Sequence, residues 1–288
     1  MSRAKQLFGG EWTEKKLSSV RQYLVAYATA LSKQRFKIAY IDAFAGTGYR
    51  TSSAKENSES LLFPEMDLFL DGSARIALQV EPRFDKYIFI EKNPGRYAEL
   101  ETLKSEFPDL AKDIILQNTD ANSYIKGLCQ GPSWKLHRAV LFLDPFGMQI
   151  TWDTIEAIAK TQAIDLWLLF PLGVAVNRIL TKNGRINPTW RAKLDALFGA
   201  TDWYDAFYQE TKQPALFGEE EHLEKVANFD SISQYYVNRL KTVFAGVAEN
   251  PLPLYNSRNN PLFMLCFAVG NPKGKDIALR IAQHILKG

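Results

Sequence analysis

Residues 38–48 read Ile-Ala-Tyr-Ile-Asp-Ala-Phe-Ala-Gly-Thr-Gly, an apolar run that breaks into a turn with two glycines. This stretch constrains the fold more than any other. A short buried strand ending in a glycine turn is how an α/β sheet presents backbone to a ligand. Gly46 and Gly48 admit positive φ and let a ligand approach the main chain closely. Asp42, at the end of the strand, can accept a hydrogen bond or oppose a cationic group. A tight turn without a ligand is the alternative. The order of strand, acid, aromatic Phe44 and glycines favours a binding site.

Four further apolar runs follow at 87–91, 114–116, 139–143 and 164–170, with helical segments between them. Asn93-Pro94 opens a helix that Pro108 stops, and 151–160 forms another. Strands alternating with helices imply a mostly parallel sheet covered on both faces, an α/β doubly wound fold. Runs at 252–257 and 262–269 flank Arg258-Asn259-Asn260-Pro261 and predict a C-terminal antiparallel hairpin, closed by a helix over 276–286. Upstream, 12–31 forms an amphipathic helix with Leu17, Val20, Leu24, Ala28 and Leu31 on one side and Thr13 as its N-cap.

The chain is therefore expected to be one domain, 1–288, with three additions. Residues 1–36 carry the covering helix. Residues 49–71 form a polar loop insertion, either a lid or a disordered excursion. Residues 174–249 show helical pieces, such as 190–198 and 232–244, and no convincing strand. Basic residues gather early in this last segment: Arg178, Lys182, Arg185, Arg191 and Lys193. They are either a solvated helix face or a surface for phosphates.

Composition narrows the function classes. The chain has 288 residues, 46% of them hydrophobic, which is ample for a sizeable core. A net charge of +3 permits an anionic partner without demanding one. Cys129 and Cys266 lack metal or redox spacing, so a reduced, cytoplasmic chain is expected. His137, His222 and His284 are far apart and lack metal-ligand spacing. No secretory leader and no apolar run long enough to cross a membrane are expected. A nucleophile elbow and a phosphate-binding Gly-Lys-Ser/Thr loop are both missing from the sequence.

The Asp-x-Phe-x-Gly-x-Gly turn resembles the first motif of class I S-adenosylmethionine (SAM) methyltransferases, particularly those acting on amino groups of nucleobases. That resemblance assigns Asp42, Phe44, Gly46 and Gly48 to the cofactor's methionine and ribose portion. It places Glu91, closing the second strand, on the ribose hydroxyls, and Asp120, after the third, on the adenine amine. Asp144-Pro145-Phe146-Gly147 stands at the fourth motif, typically Asp/Asn-Pro-Pro and an aromatic. Here Asp144 and the carbonyl after it accept from the target amine, and Phe146 walls the pocket. Phe146 replaces the second proline and Gly147 the stacking aromatic, a departure that bears on a base-amine substrate. Over nearly its full length the chain also resembles the three-Cys-motif partner (TcmP) family. The resembling parts include the helix with Trp12 and Lys16, the glycine turn, Gly72-Ser73-Ala74, Phe89-Ile90-Glu91, Phe142 to Gly147, and the closing hairpin. This implies a bacterial or phage-related protein acting beside a Cys-motif protein. RNA or DNA is the leading substrate class. A non-catalytic SAM-binding partner module is the alternative.

Overall fold

The computed structural model describes residues 11–45, 72–131, 134–145, 147–215 and 218–287. Gly46, Gly48, Phe146 and the 49–71 insertion lie outside the described residues. The five expected parallel strands are β1 Lys37–Ala43, β2 Lys86–Ile90, β3 Ile114–Gln117, β4 His137–Leu143 and β5 Ile164–Phe170. Two strands, β6 Tyr208–Ala215 and β7 Gly218–Lys225, pair only with each other. The last three are β8 Gly246–Val247, β9 Leu252–Tyr255 and β10 Pro261–Val269. The main sheet runs β3-β2-β1-β4-β5-β10-β8, with β9 also on β10. β10 is antiparallel to β5, β8 and β9.

The helices cover both faces. α1 Glu11–Leu31 comes first, then α2 Ser73–Leu78, α3 Pro94–Glu106, α4 Ala121–Cys129 and α5 Trp152–Lys160. A π-turn at Leu172–Val176 leads into the short α6 Asn177–Ile179. α7 Pro188–Phe198, α8 Trp203–Phe207, α9 Phe229–Lys241 and α10 Lys275–Ile285 complete the set.

Strand alternation sorts the core into two layers. Tyr40, Phe89, Phe142, Trp167 and Phe267 face α1, α2, α3 and α10. Ile41, Ile90, Leu141, Leu168 and Cys266 face α4, α5, α7 and α9. The same parity puts Asp42, Asp144 and Asp165 on the α1 side.

Two expectations need correction. Thr13 is not an N-cap: it lies within α1, which spans Glu11–Leu31, and its buried Oγ1 has no partner among the described residues. Residues 174–249 do contain strands, the β6–β7 hairpin and the two-residue β8. The hairpin sequence shows no apolar alternation, with Tyr208 and Leu223 its contributions to the core layer beside α7 and α9, so period-2 reasoning has little to detect.

α1 departs from a simple apolar stripe. Val20, Leu24 and Ala28 are buried as expected, while Leu17 and Leu31 are only half-buried. Trp12, Lys16, Tyr23 and Tyr27 complete the buried face. Trp12 lies 5.0 Å from Phe263, and Tyr23 lies 5.4 Å from Trp167 and 4.8 Å from Phe267. Two buried polar ties accompany these ring contacts. The Lys16 ammonium meets Asp144, and the Tyr23 hydroxyl donates to Asp165 Oδ2 at 2.7 Å. Gly270 N donates to the other Asp165 oxygen at 3.1 Å, so this acid joins α1, β5 and the end of β10.

Candidate functional site

The strand order reverses between β1 and β4, and open α/β sheets bind ligands at the carboxyl ends of strands beside such a reversal. Asp42 and Asp144 flank it. In register, Asp42 pairs with Phe89 on one side and Phe142 on the other, two residues short of Asp144. Both acids therefore project to the α1 face on adjacent strands.

Asp42 is fully buried. Tyr40, two residues earlier on the same face, donates its hydroxyl to Oδ2 at 3.1 Å, while Oδ1 has no hydrogen-bond partner among the described residues. Burial raises its pKa to about 7. Ser73 at the start of α2 offsets this, the Asp144 charge adds to it, and Tyr40 and Lys16 pull it back. A buried carboxylate with one oxygen unpartnered suits the ammonium of a ligand. Phe44, just beyond, holds φ at 75°, a strained conformation for a bulky residue. Its N–H and that of Ala45 both donate to Ile90 O, which fixes the first turn after β1 against β2.

Glu91 follows β2 and is 6% exposed. Its Oε1 accepts from Asn93 N at 2.6 Å, and Asn118 Nδ2 donates to its carbonyl at 2.8 Å. Burial raises its pKa, with the Asn93 and Lys92 amides and Arg96 acting against the rise. The carboxylate is thus held by its own turn at a strand end. Asp120 plays a more local part. It caps α4, Oδ1 accepting from Ser123 N and Oγ, and Oδ2 lies 3.7 Å from Lys92. Burial acts to raise its pKa, but the Ser123 bonds and Lys92 outweigh it and the net shift is downward. Both Asp120 oxygens are engaged, and the side chain is 43% exposed.

Asp144 follows β4 and is 14% exposed. Its Oδ2 receives Lys16 Nζ at 2.5 Å. Pro145 is buried and Gly147 has φ 66°. Lys16 itself is 2% exposed and lies 5.3 Å from the Trp12 ring. Its place in this cluster was not deduced from the sequence, although a signal existed: a lysine stands on the buried stripe of α1, four residues from Trp12 and from Val20. Asp165 was also missed. It is an acid inside an apolar strand, pushed up to about 6 by burial, with Tyr23, Gly270 and Arg138 acting to lower it.

The basic residues divide. Arg191 stacks over Tyr204 at 4.1 Å and Lys193 over Trp190 at 4.7 Å, so these two serve the helical segment itself. Arg178, Lys182 and Arg185 are exposed and follow β5 in the chain. A cavity of about 510 Å³ lined by Phe229, Ser233, Pro253, Tyr255 and Met264 lies between α9 and the β9–β10 hairpin. It belongs to the face opposite Asp42 and Asp144. Among the described residues no His, Cys, Asp or Glu group has a metal-binding arrangement, and no helix is long and apolar enough to cross a membrane.

The fold is that of class I SAM-dependent methyltransferases: a 3-2-1-4-5 parallel sheet extended by an antiparallel strand and one more. No family model matches the sequence, and no curated protein matches it. Solved structures similar to the chain include a Legionella pneumophila protein of the DUF519 family, 13% identical, covering 97% of this chain and 92% of that one, with a TM-score of 0.49. A SAM-dependent methyltransferase from Clostridium acetobutylicum is 12% identical over 88% of this chain and 92% of its own, with a TM-score of 0.35. Magnesium protoporphyrin IX methyltransferase from Synechocystis, solved with bound SAM, is 13% identical over 79% and 86%, with a TM-score of 0.30. The strand order carries the fold assignment without them.

Proposed function

We propose that this protein binds SAM at the carboxyl edge of β1, β2 and β4 and transfers its methyl group to nitrogen, with nucleic acid the leading substrate class. The observation that carries the reading is the set of three partly or fully buried carboxylates, Asp42, Glu91 and Asp144, at three neighbouring strand ends. The unpartnered Asp42 Oδ1 fits the amino end of the cofactor, and Glu91 fits its ribose diol. Asp120, already committed to α4, contributes less to the adenine than the motif implies. When bound, SAM supplies an electrophilic methyl carbon on a sulfonium. The chain's own task is alignment and exclusion of water. Asp144 Oδ1 accepts a hydrogen from the target amine and aims the nitrogen lone pair, while Pro145 restricts the backbone beside it. A base within a duplex has to leave the stack to reach this edge. The exposed Arg178, Lys182 and Arg185 meet the phosphates.

Two observations favour a second reading, in which the fold holds SAM for a partner of the three-Cys-motif kind without transferring the methyl. Asp144 is engaged by Lys16, and Gly147 replaces the stacking aromatic. Tritium transfer from methyl-labelled SAM to bacterial RNA and DNA separates the two readings. Asp144→Ala is expected to keep SAM affinity by calorimetry and to lower turnover about a hundredfold, the scale for losing a positioning group. Equal turnover in the variant favours the second reading.

A further inference from the structure

We propose that Lys16 is a positioning residue of the transfer site, brought in by α1 to hold one oxygen of Asp144 and leave the other turned to the acceptor. The inference rests on the reading that Asp144 receives the target amine. Its ground is geometric. The buried face of α1 is otherwise largely apolar or aromatic, with Trp12, Val20, Tyr23, Leu24, Tyr27 and Ala28. An ammonium at 2% exposure in such a face is costly unless a charge partner compensates it. The compensation is one-sided: among the described residues Nζ meets Oδ2 alone, at 2.5 Å. No described residue bonds Oδ1, and the Asp144 side chain keeps 14% exposure.

The neighbours narrow the part that Lys16 plays. Asp42 and Tyr40 from β1 and Trp12 from α1 lie beside the pair, and Ser73 from α2 acts on Asp42. The Asp42 carboxylate feels the charges of both Asp144 and Lys16, so the three groups form one cluster. With two carboxylates and a single ammonium among these groups, Asp144 takes the direct contact. Asp42 keeps its unpartnered oxygen. Lys16 thereby separates the two acids by role. One is oriented for the acceptor amine and the other remains open to the cofactor.

The same geometry accounts for the missing aromatic. Where the related motif clamps a planar substrate with a stacking ring, this chain has Gly147 with φ 66°. Rigidity at the acceptor position then comes from the carboxylate, which α1 anchors from behind. Deleting the anchor leaves Asp144 in place and free to rotate.

The test is a double-mutant cycle in full-length protein with Lys16→Met, Asp144→Asn and both together. Methyl-labelled SAM is the donor, and total bacterial RNA mixed with sheared genomic DNA is the acceptor. Lys16→Met is expected to lower kcat at least about 30-fold with apparent KM within about threefold, since misaiming a reacting group costs this much. SAM affinity by calorimetry stays within about twofold, Lys16→Arg recovers part of the loss, and Lys16→Met costs nothing further in the Asp144→Asn background. Additive losses, unchanged kcat, or a fall in SAM affinity equal to the fall in kcat each overturn the proposal. If Lys16→Met alone fails to fold, the double variant against Asp144→Asn decides it: equal kcat supports the proposal and a further loss overturns it. A parent that transfers no methyl to either acceptor overturns the methyltransferase reading, and this inference with it. An active parent with an indifferent Lys16→Met overturns this inference alone.

Discussion

Asp42→Asn tests whether the carboxylate at the end of β1 is kept at the expense of stability. Burial lifts the Asp42 pKa from 3.8 to about 7. Between those values the folded chain holds a proton that the unfolded chain has released. Stability therefore falls as pH rises through this window and levels off above about 7. From pH 5 to pH 8 the shift corresponds to about 3 kcal/mol lost by the parent, at about 1.36 kcal/mol per pH unit. Asparagine cannot ionise, so the variant escapes that loss. Its amide nitrogen occupies the place of the unpartnered Oδ1, or else faces Tyr40, and a buried unpaired donor costs about 1–3 kcal/mol at either pH. Comparing variant with parent at both pH values cancels this fixed cost. Urea unfolding is expected to show the variant gaining on the parent by about 3 kcal/mol between pH 5 and pH 8, while SAM binding is lost. A gain below about 1 kcal/mol, or a gain of the opposite sign, refutes the argument that desolvation dominates at Asp42.

Other outcomes follow from particular contacts. Glu91→Ala is expected to weaken SAM binding by about 1.5–3 kcal/mol through loss of a charge-assisted acceptor, read by calorimetry. Replacing Arg178, Lys182 and Arg185 by Gln is expected to weaken RNA or DNA binding and flatten its dependence on salt in fluorescence anisotropy. Gly173→Ala is expected to cost at least about 1–3 kcal/mol in urea unfolding, as for other overpacked sites, because its Cβ would stand 1.8 Å from Pro261 O.

The main sheet could be read from the sequence because its strands are apolar runs bounded by turn residues, and parity then places each side chain on a face. The hairpin of β9 and β10 was also readable. Asn256 between the two runs accepts from the backbone of Arg258 and Asn260, and Asn259 takes a left-handed φ of 58°. β6 and β7 were not readable, since among their described residues Tyr208 and Leu223 alone join the core, and runs such as Gln209-Glu210-Thr211 and Glu219-Glu220-Glu221 carry no apolar alternation. The acids at the ends of β1, β2 and β4 were found because motif order marks strand ends. Lys16 and Asp165 were overlooked for a shared reason. Each is a charged residue in an apolar context, and its partner lies more than a hundred residues away in the chain. Local pattern shows that such a residue is unusual but not what it meets.

The two buried ties of α1 bear on the order in which the molecule is assembled. α1 is the first described element of the chain, and although its Tyr27 stacks on Phe84, its Trp12 and Tyr23 meet Phe263, Trp167 and Phe267, and Tyr23 reaches Asp165 on β5. β10, which carries two of those rings, is the last strand in sequence. During synthesis α1 emerges before much of the surface it covers, and the stability of a helix in a protein comes mostly from packing of its buried face. Until β5 and β10 are made, Trp12 and Tyr23 lack these ring partners, a state open to chaperones and to aggregation. Docking α1 is then a late, long-range step that closes the chain on itself. The Lys16–Asp144 contact belongs to that step, so this corner of the sheet's carboxyl edge is completed when α1 docks across β4, β5 and β10.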